Sequence, residues 1–235
     1  MGVLDIPRVV SRLRQFADRE RAKLHLRFFK TAPGEYGGGD RFLGIRVPNL
    51  RRVAREFRSL SLKDVEELLA SKWHEERLLA LVILVNQYAR AADAEREAIY
   101  RLYLASTQHI NNWDLVDVSA AQIVGAYLLD RDRRVLYRLA KSRSVWERRI
   151  AIIATAWFIR ADQFDDTFAI VERLLGDKHD LIHKAAGWML REIGKRDREA
   201  EERFLRKYAP RMPRTMLRYA IERFPKAVRQ RYLAA

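Results

Sequence analysis

The segment from Asn112 to Asp117 reads Asn-Trp-Asp-Leu-Val-Asp, and it places carboxylates beside an aromatic ring in a strongly basic chain. In a helix, Trp113 and Asp117 are four residues apart and share one face. A carboxylate is unfavourable beside a polyanion unless it stabilises a group that becomes cationic. The sugar of a glycosidic bond acquires such oxocarbenium character as the bond breaks. The spacing therefore indicates a carboxylate that could assist cleavage of a glycosidic bond.

The same segment also has a second interpretation. Asn112 is a plausible N-cap, and Asp114 falls in the first turn, where a negative charge suits the helix dipole. Asp114 thus has a local explanation, whereas Asp117 lies at the edge of a core stripe made by Val116, Ala120, Ile123 and Tyr127. On spacing alone, Asp117 could instead pair with an arginine of a neighbouring repeat, with Trp113 in the core.

The charge of the chain indicates a polyanionic partner. Lys and Arg total 46 against 31 Asp and Glu, a formal net charge of +15 over 235 residues. Arginine's planar fork suits phosphate, and an excess of this size is typical of proteins that bind nucleic acid. A merely soluble basic protein or a ribosome-associated one is the alternative.

Composition also excludes several kinds of chemistry. The chain has no cysteine, which rules out disulfides, thiolate catalysis and Cys-based zinc sites and fits a reducing compartment. His179 and His183 are spaced for a metal, but without a third ligand nearby they are expected to face solvent. We therefore expect no metal and no cofactor. The sequence shows no signal peptide or membrane span, so we expect a cytoplasmic, nucleoid-associated protein.

Nearly all of the chain is predicted to be helical, with one exception. Helices are expected at about 7–29, from Pro48 to about Phe57, and from a Ser61 cap to about Ala70. Residues 31–40 hold four of the ten glycines and are expected to form a loop. No Gly-Lys-Ser/Thr follows, which rejects a Walker A loop. The loop is either a flexible connector or a DNA contact that presents Tyr36.

Beyond this loop a helix-pair unit repeats. Arg77, Asp117, Arg149 and Lys184 fall near the start of the second helix of successive units, 40, 32 and 35 residues apart. Two helices per 35 to 45 residues is typical of a HEAT-type α-solenoid, in which equivalent positions line one wall. We therefore predict an all-α, HEAT-like helical-repeat solenoid, a single domain over residues 1–235, with a concave basic face that binds DNA.

Two further groups of residues are candidates for function. Gly187 in a helix interior indicates close approach of another backbone, either a packed helix or DNA, and Trp188 follows near Lys184. Arg148 and Arg149 diverge by about 100° on a helix, and Arg149 has the repeat register. A core Trp188 and an arginine–carboxylate pair between repeats are the alternatives.

The chain resembles the DNA alkylation repair family of HEAT-like-repeat DNA glycosylases, the AlkD type, from about Phe28 to Phe224. The segments that carry the resemblance are Phe42–Pro48 (FLGIRVP), Trp113–Asp117 (WDLVD), Trp146–Arg149 (WERR) and Lys184–Glu192 (KAAGWMLRE). Together they are specific, whereas any one alone would be weak. The glycine-rich loop departs from the family pattern by its length.

The resemblance implies roles for particular residues. It makes Asp117 the catalytic carboxylate, with Trp113 and Trp188 flanking the sugar of the lesion, and Arg149 a contact to the DNA backbone. An aromatic of the family corresponds to Phe28, with Tyr36 as a substitute, and the sequence does not choose between them. The predicted DNA contacts are therefore Phe28, Tyr36, Arg77, Arg148, Arg149 and Lys184.

The function that the resemblance implies is excision of cationic alkylpurines, such as 3-methyladenine and 7-methylguanine, from duplex DNA in base excision repair. We expect a monomeric, monofunctional glycosylase. Two alternatives stay open: a non-catalytic HEAT-repeat binder of damaged or branched DNA, and a protein-binding HEAT scaffold.

Overall fold

The structure, a computed structural model, describes residues 6–234, and in this part of the chain the helices are joined by turns and loops, without a β-strand. One isolated β-bridge joins Arg41 to Trp73. The all-α prediction is confirmed. Contacts between residues divide the chain into two compact units, Met1–Ile123 and Val124–Ala235. No helix within residues 6–234 is long and apolar enough to cross a membrane.

Within residues 6–123, the first unit contains seven α-helices. They are α1 Ile6–Arg14, α2 Arg19–Phe28, α3 Val47–Glu56, α4 Leu62–Leu69, α5 His74–Tyr88, α6 Asp93–Ala105 and α7 Trp113–Ala120. The predicted caps are confirmed, because the Ser61 side chain accepts a hydrogen bond from the Asp64 amide and Asn112 accepts one from the Trp113 amide. The predicted start of α1, the predicted end of α2 and the predicted bounds of α3 and α4 agree with the structure within two residues.

Helix α5 is the centre of the first unit. Every residue from His74 to Leu84 is buried, and α3, α4, α6 and α7 all pack against this helix. A helix that is apolar on all sides after its first turn must be covered on all sides. The four polar residues of the first turn, His74 to Arg77, are therefore buried with the rest, and each needs a partner inside the protein.

The second unit contains the remaining helices. They are α8 Ala126–Leu128, α9 Arg134–Leu139, α10 Val145–Ala154, α11 Ala156–Arg160, α12 Asp165–Leu174, α13 Asp180–Gly194, α14 Arg198–Tyr208, α15 Arg214–Ala220 and α16 Lys226–Ala234. Helix α13 is central here, packing against α10, α12, α14 and α15. Gly187 lies where α13 meets α15, and a Cβ on it would be 2.3 Å from the Met216 carbonyl oxygen. The close approach predicted at Gly187 is therefore made to a packed helix.

Replacing Gly187 by Ala is expected to destabilise the protein. The added methyl would also lie 2.6 Å from the Tyr219 Cβ, so α15 must move, at a cost of about 1–3 kcal/mol for overpacking. Chemical denaturation measures the change in the free energy of unfolding. Gly176→Ala, where an added Cβ meets nothing within 4 Å, is the matched control and should change stability by under about 0.5 kcal/mol. A stabilised Gly187→Ala would contradict this packing.

The four residues of the predicted repeat register each lie near the start of a helix, while the HEAT-type repeat itself stays a prediction. Arg77 is the fourth residue of α5, while Asp117, Arg149 and Lys184 are each the fifth residue of α7, α10 and α13. In three of the four cases a short preceding helix packs against the helix that carries the residue. The single domain over 1–235 and the concave basic face stay predictions.

Candidate active site

The candidate catalytic segment forms the first turn and a half of α7. Asn112 is fully buried, and its Oδ1 accepts a hydrogen bond from the Trp113 amide at 2.8 Å, which fixes where the helix begins. Trp113 and Asp117 follow, one helical turn apart, and both are half-buried. The side chains that the sequence selects are thus partly accessible and are carried by a helix whose start is anchored.

The Trp113 ring lies at the end of a stack of aromatic rings. It stacks on Phe29 at a centroid distance of 5.4 Å, and Phe29 stacks on Phe42 at 4.9 Å. Phe42 stacks in turn on the imidazole of His74 at 4.6 Å. Phe28 meets Trp113 edge-on at 5.8 Å and is 63% exposed. Rings packed this way have defined orientations, so the indole of Trp113 is held on one face by Phe29 and at its edge by Phe28.

His74 is bound between two carboxylates. Its Nδ1 lies 2.9 Å from Oδ2 of Asp40, and its Nε2 lies 2.8 Å from Oδ2 of Asp114. Burial lowers the pKa of His74, but the charge of Asp114 and the hydrogen bonds to Asp114 and Asp40 outweigh this and raise the pKa to about 9. For Asp40, burial raises the pKa of the carboxyl group, but the contacts with His74 and Arg77 outweigh burial, so the pKa is lowered overall. At neutral pH these groups form a buried, charge-balanced cluster.

The role expected for Asp114 needs correction. The sequence explains this acid by the helix dipole alone, whereas the structure gives it two partners. One carboxylate oxygen of Asp114 binds His74, and the other accepts the Leu115 amide at 2.9 Å. Its carboxylate therefore belongs to the buried cluster of charged side chains around His74. Sequence reasoning missed His74 and Asp40 as well, because neither lies near α7 along the chain.

The surroundings of Asp117 include a buried phenol. Tyr103 of α6 is fully buried, and its hydroxyl lies 3.0 Å from the Ser119 hydroxyl. Burial raises the pKa of Tyr103, the Ser119 hydrogen bond lowers it, and the negative charge of Asp117 raises it further. The Asp117 carboxylate thus interacts electrostatically with the buried phenol of Tyr103.

The other aromatic candidate, Trp188, belongs to the second unit. It is half-buried on α13, and its Nε1–H donates to Oε1 of Glu192 at 2.9 Å. It borders an open groove of about 590 Å³ together with Arg160 and Lys195. The ring is therefore at the surface of its unit beside cationic side chains, which disfavours the core alternative for Trp188.

Two arginines predicted to contact DNA have partners within the protein. Arg77 is 4% exposed, forms an ion pair with Asp40 and donates to the Ser71 carbonyl at 2.9 Å. Arg148 pairs with Asp177 at 2.6 Å and also donates to two carbonyls of the preceding loop. Each guanidinium would have to exchange these partners in order to bind a phosphate. For Arg148 the pair with Asp177 corresponds to the arginine–carboxylate alternative, and the DNA contacts of both arginines stay predictions.

Arg149 and Lys184 differ in accessibility. Arg149 is 5% exposed and donates to the Leu181 carbonyl at 2.6 Å, so its phosphate contact stays a prediction. The Lys184 side chain is 40% exposed and lies 2.7 Å from Asp180, one turn earlier on α13. A surface pair of this kind contributes little to stability, which leaves the Lys184 amine accessible to a phosphate.

The glycine-rich loop is a series of tight turns. Gly37 packs so closely that a Cβ on it would lie 2.3 Å from the Phe29 carbonyl oxygen, and its amide donates to the Lys30 carbonyl. Asp40 anchors the other end of the loop at His74. Tyr36 is half-buried, whereas Phe28 is exposed beside Trp113. The geometry thus favours Phe28 as the aromatic near the candidate site.

The two histidines with metal-like spacing are half-buried, and both rings also make contacts within the protein. His179 is half-buried and caps α13, its Nδ1 accepting the Leu181 amide, and His183 Nε2 lies 2.5 Å from the Asp177 carbonyl. Both rings therefore serve the start of α13. Within residues 6–234, no group of three or more acidic or histidine side chains is arranged to hold a metal ion.

Comparison with known proteins is consistent with this geometry. A model of the family described as DNA alkylation repair enzyme matches residues 9–224. The chain is also similar to a solved structure described as a predicted DNA alkylation repair enzyme from Enterococcus faecalis, with a TM-score of 0.68 at 16% identity. The match covers 89% of this chain and 97% of that one, and at this identity it shows the fold. No curated protein matches the chain.

Proposed function

Because the chain belongs to the family of DNA alkylation repair enzymes, we propose that it is a monofunctional DNA glycosylase. Its substrates would be cationic N3- and N7-alkylated purines, such as 3-methyladenine and 7-methylguanine, in duplex DNA. The observation that carries the proposal is the half-buried carboxylate of Asp117, one helical turn after the half-buried ring of Trp113. The net charge of +15 supports a polyanionic partner.

A single carboxylate is sufficient for this reaction. Hydrolysis of an ordinary O-glycosidic bond needs a second carboxyl group, because the leaving oxygen has to be protonated. An N3- or N7-alkylated purine already carries a positive charge and leaves as a neutral base. Asp117 is then required only to stabilise the oxocarbenium character of the sugar and to orient the attacking water.

The aromatic residues supply the other part of the proposed site. Trp113 and Trp188 would present negative ring faces to the cationic sugar and base. Phe28 is 63% exposed and meets Trp113 edge-on, which suits a side chain that contacts DNA beside the lesion. Lys184, with its partly exposed amine, would contact a phosphate, and we propose the same role for Arg149.

Randomly methylated duplex DNA tests the proposal directly. We expect release of 7-methylguanine, 3-methyladenine or both, identified by chromatography, without added metal or nucleotide. Release should be unchanged by EDTA, since no step needs a metal. Failure to release either base, or activity that disappears with EDTA, would refute the proposal. Binding without release would favour a non-catalytic DNA-binding protein.

The product should be an abasic site in an intact strand. Strand cleavage by a lyase needs a neutral amine that forms a Schiff base. Lys184, one turn before Trp188, is the candidate amine, but it is held in an ion pair with Asp180 at 2.7 Å. Borohydride should therefore trap no covalent complex during the reaction. A trapped adduct that disappears in Lys184→Arg would show lyase activity instead.

A further inference from the structure

Three segments that are distant in sequence meet at His74. Asp40 ends the glycine-rich loop, His74 begins α5, and Asp114 lies in the first turn of α7. The imidazole nitrogens lie 2.9 Å from Asp40 and 2.8 Å from Asp114, and His74 is 1% exposed. Asn112, the cap of α7, also donates to Asp40 at 3.3 Å. The start of α7 is thus connected through His74 and Asp40 to both α5 and the loop.

We propose that His74 is a positioning residue for base excision, which holds the first turn of α7 so that Trp113 and Asp117 face the substrate. This inference rests on the proposed glycosylase function and deepens it. It also gives the glycine-rich loop a role, because Asp40 at the end of that loop binds the second imidazole nitrogen.

The chemistry of the cluster requires a doubly protonated imidazole. Both neighbours are carboxylates that only accept hydrogen bonds, so each ring nitrogen of His74 has to donate. Two cations, His74 and Arg77, then balance two anions, Asp40 from the loop and Asp114 from α7. A neutral imidazole has a single N–H and can hold only one of the two carboxylates. Loss of the proton would therefore release either the loop or α7.

The contact at Asp114 lies where it controls both site residues. Asp114 directly follows Trp113 and precedes Asp117 by three positions. The contact between His74 and Asp114, called here the tether, therefore lies within the helical turn that carries Trp113 and Asp117. On the other side, the stack of Phe42 and Phe29 connects the same imidazole to the Trp113 ring. Rotation or translation of this turn would displace the Trp113 ring and the Asp117 carboxylate together. Misplacement by about 1 Å is enough to lower a rate about 10²-fold.

The first experiment compares His74→Gln with the wild type in single-turnover excision of 7-methylguanine. Glutamine can donate to one carboxylate through its amide NH2, but it presents a carbonyl oxygen, an acceptor, toward the other and carries no charge. We expect the excision rate to fall about 10–100-fold while the Kd for duplex DNA stays within about threefold. His109→Gln, which alters a histidine outside the cluster, is the matched control. An unchanged rate, or a loss confined to DNA affinity, would overturn the proposal.

A pH profile separates positioning from a general loss of structure. The wild-type rate should decline as pH rises through about 9, where His74 loses its second proton. The groups that face the imidazole are Asp40, Asp114 and, through Asp40, Arg77. His74→Gln should lack this decline, because the glutamine does not titrate. A decline that persists unchanged in His74→Gln would overturn the assignment to His74.

Asp114→Asn is the milder second variant, since an amide oxygen can still accept from His74. We expect Asp114→Asn to lower the excision rate less than His74→Gln does. The variant that carries both changes should be no slower than His74→Gln alone, because both changes act on the same contact between His74 and Asp114. Multiplicative losses would contradict a shared role. Each variant is first checked for a cooperative unfolding transition.

Amide hydrogen exchange on the free protein distinguishes this proposal from the proposed function. His74→Gln should accelerate exchange in Trp113–Ala120 and in residues 31–40 relative to the rest of the chain. If exchange changes there but the wild type releases no base, the tether exists and the proposed glycosylase function fails. If the wild type excises bases and exchange in both segments is unchanged, the tether is refuted.

Discussion

Replacing Asp117 by Asn is expected to lower the rate of base release by about 10²–10³, the usual effect of removing one well-placed electrostatic stabiliser. Asparagine keeps the shape of the side chain and removes its charge. If the carboxylate acts on developing positive charge, its loss raises the energy of the transition state more than that of the ground state. Affinity for DNA should be unchanged or tighter, because Asp117 repels phosphates before the reaction.

Single-turnover excision and equilibrium binding on the same methylated duplex measure the two effects separately. The matched control is Asp93→Asn. The Asp93 side chain lies at the start of α6, is 80% exposed and forms only a long surface ion pair of 3.7 Å with Arg96. Asp114→Asn does not serve as a neutral control, because the structure places Asp114 in the His74 cluster. Full activity in Asp117→Asn would refute the carboxylate mechanism. A variant that unfolds instead would favour a structural ion pair at Asp117.

Helix positions were predictable from local chemistry. Asn112 and Ser61 cap the helices that they were expected to cap, and Pro48 lies in the first turn of α3. These signals depend on neighbouring residues along the chain, and a helix N-terminus is largely decided by such neighbours. The same holds for the placement of Trp113 and Asp117 on one face of α7, which needs only the helical repeat.

The His74 cluster was not predictable in this way. Its members come from three segments, and their pairing depends on how the glycine-rich loop folds back onto α5. One signal was available: the apolar run from Leu78 onward indicates a helix buried on all sides, so the polar turn before it should be buried too. That argument predicts a buried His74 needing partners, but not that Asp40 and Asp114 supply them.

Repeat register likewise predicted position better than exposure. Arg77 and Lys184 occupy nearly equivalent places in their helices, yet Arg77 is buried against Asp40 and the Lys184 side chain is 40% exposed. The difference in exposure arises because the end of the glycine-rich loop, at Asp40, packs over the start of α5 and binds Arg77 there. A sequence repeat specifies which helix turn a residue occupies, whereas its accessibility depends on what packs over that turn.

Glu201 is expected to make the protein less stable as pH rises. This residue of α14 is 1% exposed, packs against Gly194 and has one carboxyl oxygen without a hydrogen-bond partner in the described structure. Burial raises the pKa of Glu201 to about 8, partly opposed by the charge of Arg198. Between about pH 4.5 and 8 the folded state therefore holds a proton that the unfolded state has released, so the free energy of unfolding falls with rising pH.

Glu201→Gln should remove this dependence, because the amide is neutral at every pH and close in shape. The stability of the variant relative to the wild type should rise across the window and level off above about pH 8, by up to roughly 5 kcal/mol from the shift in pKa. His74 also loses stabilisation as pH rises from 6.5 to about 9, but it is present in both proteins and cancels in the difference. Chemical denaturation at pH 5, 7 and 9 measures this difference. Glu199→Gln, on the same helix with a side chain 77% exposed, is the matched control and should show no such trend. A difference between Glu201→Gln and the wild type that does not change with pH would mean that Glu201 is ionised in the folded protein.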